Sequence, residues 1–292
     1  MSDPLQFYGL LPSTPEGIRE VAATFRVKAM AADSLPGWED RLETRTRLLM
    51  TIMRKQNQQR SDCQGNATAN GAEAQHQYVT GNMVQYSDTY AYQGSERLMG
   101  RTSVGRDNGT GMEFGVILRV DGIKALAVGP GLPLESDWAY NPYERDVARF
   151  ETRAKSAKLQ DTYVAESGEL PPFNDLLLNL AAGGVGHIGT YWPFRETSVG
   201  GFKCMDSAPT GGGGHATEII GAIRISAAWY LVVWNSHGYG AYLMSQRGYE
   251  QLQDRQWKPF GGYLIMPDKP VERYHNRIVS GGGYFSPSKG VA

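Results

Sequence analysis

A chain of 292 residues with 41% apolar side chains is long enough to bury a sizeable core, in one large domain or in two lobes. Its 29 basic and 30 acidic side chains leave a formal net charge of −1, which removes any electrostatic reason to expect nucleic acid or an anionic membrane as partner. No stretch approaches the roughly 18 apolar residues of a membrane span, and Met1-Ser2-Asp3-Pro4-Leu5-Gln6 lacks the basic region and apolar core of a cleaved secretion signal. Two cysteines, Cys63 and Cys204, cannot form a disulfide framework and read as thiols in a reducing, cytoplasmic compartment.

In chain order, residues 15–25 and 41–54 carry apolar side chains at helical spacing. A helix is expected over residues 63–78, where Gly65, Ala67, Ala69 and Gly71 would let it pack close to its neighbours. Each internal glycine costs about 1 kcal/mol relative to alanine, so tertiary packing must hold this helix. Residues 88–99 and 111–121 complete a mostly helical first lobe. A long polar crossover is expected over 138–172, its charged run at 145–158 read as a solvated helix, and Pro172-Phe173-Asn174-Asp175-Leu176 opens a short helix. Beyond it, β-branched and aromatic runs at 187–194, 215–225, 229–234, 239–244 and 262–266 alternate with glycine turns, which predicts an antiparallel sheet. Phe202-Lys203-Cys204-Met205-Asp206 reads as a loop holding a bystander thiol, and Gly211-Gly212-Gly213-Gly214 as a flexible lip giving access to His215.

Cys63, His215 and Asn235, in that order along the chain, make up the parts list of a thiol peptidase. A thiol titrates near pH 8.5, and a helix N-terminus or a neighbouring imidazolium can lower that to roughly 3.5–7.5. Cys63 stands where a helix should begin, so the positive end of the helix dipole favours its thiolate. His215 would take and return the proton, and the amide oxygen of Asn235 would fix the ring's tautomer. The oxyanion needs a donor beside the Cys63 N–H, for which Gln58 is the choice, with Gln59 and Gln56 behind it.

The chain resembles the papain-like cysteine peptidases, especially their compact bacterial and phage-type members. The resemblance rests on a glutamine several residues before the cysteine, on Glu73 ten residues after it, on His215-Ala216 opening an apolar run, and on Trp234-Asn235-Ser236-His237-Gly238 followed by a Gly/Tyr-rich hairpin. Leu35-Pro36-Gly37-Trp38 is similar to the N-terminal segment of the mature enzymes, and Asp107-Asn108-Gly109-Thr110-Gly111 to the glycine loop that pairs with the substrate backbone. Two positions depart from the family pattern. Gln64 stands where a tryptophan usually follows the nucleophile, and His237 where a tryptophan usually shields the histidine–asparagine hydrogen bond, which implies a smaller, polar shield.

The resemblance implies an α+β, two-lobed papain-like fold, a helical lobe plus an antiparallel β-sheet or barrel lobe with the site in the cleft between them. It divides the chain into an N-terminal arm (1–34), a peptidase domain (35–270, helical lobe to about 160) and a Gly-rich tail (271–292). The implied function is a cysteine endopeptidase working through Cys63, His215, Asn235 and Gln58, with Gly109, Gly214 and Ala216 at the substrate, and no cofactor or metal. Its partner is a protein or peptide substrate. The phage-type flavour adds two alternatives: a papain-like component of a virion or tail, contacting other subunits of the particle, and a thiol hydrolase cutting peptidoglycan cross-links. An inhibitory pro-segment is not recognisable in the first 34 residues.

Two other patterns carry less. Gly184-Val185-Gly186-His187-Ile188-Gly189 satisfies GxGxxG but leads from a helix into a strand, the reverse of a dinucleotide site. His215 with Glu218 is not a zinc pair, and His76, His187 and His275 show no metal spacing.

Overall fold

The computed structural model describes residues 10–11, 37–99, 109–111, 115, 162–167, 171–252 and 262–267. The helices expected over 15–25 and 145–158, the tail 271–292 and most of 111–121 lie outside these residues.

Helix α1 (Trp38–Ile52) buries Leu42, Thr46 and Leu49. Helix α2 (Cys63–Thr80) ends at Gly81, whose φ of 77° is the left-handed closing conformation that favours glycine. Helix α3 (Asp88–Leu98) opens on Ser87, whose hydroxyl accepts from the Tyr90 N–H at 3.2 Å. α2 and α3 meet at Gly65, where a Cβ would stand 2.6 Å from Tyr92 Cβ and 2.7 Å from Asp88 O. That near-contact of backbones explains why a glycine sits inside α2 despite its poor helix propensity.

The strands are β1 (Leu10–Leu11), β2 (Thr110–Gly111), β3 (Thr162–Ser167), β4 (Val185–Val199), β5 (Phe202–Ile225), β6 (Ala228–Asn235), β7 (Gly240–Ser245) and β8 (Gly262–Pro267). Six of them form one sheet in the order β3-β8-β4-β5-β6-β7. Neighbours are antiparallel, except that the start of β5 also pairs with β7 in parallel, Cys204 opposite Leu243 and Met205 opposite Met244. The long strand β5 thus curls back on β7 and closes the sheet on itself like a barrel. Helix α4 (Phe173–Ala181) leads into β4, and helix α5 (Gln246–Leu252) follows β7.

Four expectations are corrected. The segment around Cys204 and the run Gly211–Gly214 are not loop and lip but parts of β5, with Gly213 opposite Trp192 and Gly214 opposite Tyr191. Glycine-rich sequence disfavours a strand taken alone, but here the partner strand β4 supplies the ladder. The polar crossover contains β3, which among the described residues lies at one end of the sheet and pairs with β8. Gly111, expected to open a helix, pairs in β2 instead.

A bulge between Ile219 and Gly221 in β5 switches which side chains face which core. Ile220 and Ile223 join Leu49, Cys63, Ala67 and Tyr78 beneath α1 and α2, whereas Ile219 and Ala222 join Leu176, Leu180 and Tyr249 on the side of α4 and α5. α1 docks on this bulge. The Thr46 hydroxyl donates to Leu42 O at 2.7 Å and accepts from the Ala222 N–H at 3.1 Å, and a Cβ at Gly221 would stand 2.1 Å from Thr46 Oγ1. Docking α1 here sets the direction of the segment that leaves it, and that segment carries Gln58.

Candidate active site

Cys63 is the first residue of α2 and is wholly buried. A helix leaves its first N–H groups without carbonyl partners of its own, so the Cys63 amide is suited to an oxyanion and its sulfur lies at the positive end of the dipole. Asn66 holds the turn, its Nδ2 donating to Asp62 O at 3.0 Å. α2 packs against β5, and Cys63 shares a core cluster with Ala216, the residue after His215.

The residues expected to serve as base and orienting group are joined directly. His215 Nε2 lies 2.8 Å from Asn235 Oδ1, and both residues are wholly buried. An amide oxygen only accepts, so Nε2 carries the hydrogen and Nδ1 is the nitrogen suited to take a proton. His237 stacks on the His215 ring with centroids 4.3 Å apart and planes at 27°. Trp192 from β4 packs its ring edge-on against His215 at 5.1 Å and against His237 at 6.2 Å. The apolar wall beside the histidine thus comes in part from Trp192, not only from the residue after Ser236. Burial holds His215 well below the usual imidazole range, the neighbouring His237 adds to this, and the Asn235 hydrogen bond opposes it.

Gln58 is brought against the same loop. The segment after α1 pairs with the residues that follow β6: Asn57 bridges His237, the Gln58 N–H donates to Ser236 O at 2.8 Å, and the Gly238 N–H donates to Gln56 O at 2.8 Å. The Ser236 hydroxyl donates to Gln58 Oε1, and Gln58 Nε2 donates to Arg60 O at 3.0 Å. Gln56 turns to the helical side, where Nε2 donates to Asp88 Oδ2 at 3.0 Å, and Gln59 is exposed. Upstream, Arg54 bonds Tyr86 O at 2.7 Å and pairs with Glu73 at 3.2 Å, while its own carbonyl accepts from Trp234 Nε1 at 3.1 Å. Glu73 is therefore a buried anchor for this segment.

The glycine loop is held from two helices. Gly109, at φ 69°, donates its N–H to Tyr92 Oη at 3.2 Å. The Thr110 hydroxyl donates to Gln64 Oε1 at 2.9 Å, and Gln64 Nε2 donates to Thr68 Oγ1 at 2.9 Å. Gln64 is thus no mere replacement for an aromatic ring: it ties α2 to the loop, a role its sequence position does not disclose. Thr110 and Gly111 pair in parallel with Leu10 and Leu11, and β1 also lies against β5. Of the other residues assigned to substrate, Gly214 is half-buried in β5 and Ala216 is buried in the core.

Cys204 is buried opposite Leu243 of β7, in the same core cluster as Cys63, and burial, then Asp206, push its thiol up. A separate depression of about 450 Å³, lined by Arg47, Lys55, Lys203, Trp234 and Tyr239 among others, includes none of Cys63, His215 or Asn235. Ser236, Trp192 and the Leu10–Leu11 strand went unassigned by sequence reasoning. Only Ser236, beside Asn235, carried a local signal.

No known family profile matches the sequence, and no curated protein sequence does. Solved structures do match. The proform of Amb a 11, a cysteine protease and major ragweed pollen allergen, superposes with a TM-score of 0.52 at 14% identity, over 76% of this chain and 63% of that one. The Carica candamarcensis cysteine protease CMS1MS2, in complex with E-64, superposes with a TM-score of 0.50 at 15% identity, over 77% of this chain and 96% of that one. The matched region thus spans less than two thirds of the ragweed proform. The fold is that of the papain-like cysteine proteases, a helical part against an antiparallel sheet.

Proposed function

We propose that the protein is a cysteine peptidase. The observation that carries this reading is the buried 2.8 Å hydrogen bond from His215 Nε2 to Asn235 Oδ1, on a fold that sets a cysteine at the first position of the facing helix. Such a bond fixes one tautomer and leaves Nδ1 to handle the proton. In the proposed reaction His215 Nδ1 takes the Cys63 proton, and the sulfur attacks a peptide carbonyl. The Cys63 N–H and Gln58 Nε2 stabilise the oxyanion. The intermediate collapses to a thioester as the imidazolium gives its proton to the departing amine. Water, deprotonated by His215, then attacks the thioester, releasing the carboxylic acid and restoring the thiol.

Leu10–Leu11, paired with Thr110–Gly111 and also against β5, occupies backbone that an extended peptide would use. The reading therefore includes competition between this segment and substrate. A second reading, a papain-like scaffold without catalysis, draws on the depressed basicity of His215.

The deciding experiment alkylates the native chain with iodoacetamide from pH 5 to 9 and quantifies each adduct by mass spectrometry, alongside hydrolysis of fluorescent casein. The expected result is Cys63 modified at least tenfold faster than Cys204 at pH 7, an advantage lost in His215→Ala, with casein cleavage abolished in Cys63→Ala. Equal rates at Cys63 and Cys204, with no cleavage, would leave the scaffold reading in its place.

A further inference from the structure

We propose that the depression between the end of α1 and the β6–β7 turn binds a small aromatic anion, a flat apolar body carrying one carboxylate, sulfonate or phosphate group. The inference goes beyond the peptidase reading and does not rest on it, since this space includes none of Cys63, His215 or Asn235. Several segments wall it: α1 and the residue Lys55 beyond its end, the start of β5, the end of β6, and the β6–β7 turn with the opening of β7. A space of about 450 Å³ walled from several sides suits a compact ligand better than an extended chain, since pockets for small molecules run to roughly 300–1,000 Å³.

Rings supply the apolar part. Trp234 is 1% exposed and forms the base of the space, and Phe202 packs against the same core cluster. A Cβ at Gly240 would stand 3.1 Å from Lys55 Cγ and 3.2 Å from Trp234 Cη2, which sets the Lys55 stem and the indole edge beside one another at this glycine. Tyr239 is 55% exposed, a large ring that folding leaves in water. An aromatic body seated here would take that apolar surface out of water.

The charge lining the space is of one sign. Arg47, Lys55 and Lys203 contribute to its walls, and among the described residues no acidic side chain does. Two of these cations already have counterions. Arg47 Nε and Nη2 bond Glu43 Oε1 at 3.0 and 2.7 Å, and Lys203 Nζ pairs with Glu196 at 2.9 Å while lying 3.9 Å from the centre of the Tyr239 ring. Lys55 is exposed and makes no ion pair among the described residues. One anionic group therefore matches the one charge left uncompensated. Lys203 keeps further N–H hydrogens with which to orient it, as does Arg47. A depression of this kind favours an anion over a neutral molecule of the same shape.

The test titrates the native chain, Lys55→Glu and Tyr239→Ala with 8-anilino-1-naphthalenesulfonate, read by its fluorescence, and with N-phenyl-1-naphthylamine, which has the same rings without the sulfonate. Both substitutions fall on exposed side chains, and circular dichroism checks the fold of each variant. The expected result is one saturable sulfonate site per chain, weakened about tenfold in Lys55→Glu. Binding of the neutral amine should be unchanged in Lys55→Glu, whereas Tyr239→Ala should weaken both probes. Unchanged sulfonate binding in Lys55→Glu, equal weakening of the two probes by that substitution, or no saturable sulfonate binding to the native chain would each overturn the proposal.

Discussion

Gln58 and Ser236 are joined twice, through a 2.8 Å backbone bond from the Gln58 N–H to Ser236 O and through the Ser236 hydroxyl, which donates to Gln58 Oε1. With its oxygen held there and one hydrogen of Nε2 bonded to Arg60 O, the amide plane of Gln58 is fixed. Ser236→Ala releases that plane without touching the His215–Asn235 bond. Casein hydrolysis should fall about tenfold while Cys63 alkylation stays native. Gln58→Ala, which in the proposed reaction removes an oxyanion donor outright, should cost about 10²–10³-fold in kcat. Parallel loss of alkylation and hydrolysis in Ser236→Ala would mean that the serine acts on the histidine instead.

The Leu10–Leu11 strand gives a prediction of opposite sign. Replacing both residues with proline removes an N–H donor from the pairing with Thr110–Gly111, whichever of the two faces it. Such a bond is worth about 0.5–1.5 kcal/mol net, so freeing the edge should raise the initial rate of casein hydrolysis about two- to tenfold. An unchanged rate would show that this strand does not compete with substrate.

Gly65→Ala sets two effects against each other. Alanine favours the helix by about 1 kcal/mol, but its Cβ would stand 2.6 Å from Tyr92 Cβ and 2.7 Å from Asp88 O and Tyr92 N. Two of these are backbone atoms and cannot swing aside. Overpacking of this kind costs about 1–3 kcal/mol, so steric strain wins and the denaturant midpoint should drop. A higher midpoint would place α2 and α3 further apart than described.

His76 bears on stability in acid. Burial lowers it from 6.5 to about 4, with Nδ1 3.0 Å from Tyr86 Oη. Between those two values the unfolded chain binds more protons, so this group's contribution is fully present above about pH 6.5 and is lost as pH falls towards 4. The slope is up to about 1.4 kcal/mol per pH unit. Urea unfolding at pH 7, 5.5 and 4.5 should show the native chain losing more stability than His76→Gln over this interval. Parallel losses would assign the acid sensitivity to other groups.

Local pattern made much of this molecule legible. α1, α2 and α3 follow helical spacing, and β4, β6, β7 and β8 follow runs of β-branched and aromatic residues, because those signals depend on near neighbours in sequence. The same is true of Asn235, which ends a strand, and of Cys63, which begins a helix. β5 was half-read: its second half is apolar, but Cys204 and Gly211–Gly214 look like loop until β4 and β7 are set beside them. Among three candidate glutamines, no spacing argument could choose. Tertiary contacts set them apart: Gln58 bonds Ser236, 178 positions away, whereas Gln56 bonds Asp88.

By itself, then, the sequence determined most of the helices, the apolar strands and the residue types available for chemistry, since these depend on interactions within a few positions of chain. Tertiary structure decided the rest: that Gln64 anchors the glycine loop through Thr110, that Leu10–Leu11 lies along that loop, and that His237 covers His215. Each depends on contacts between segments far apart in sequence, set by how α1 docks on the β5 bulge and how β5 closes on β7.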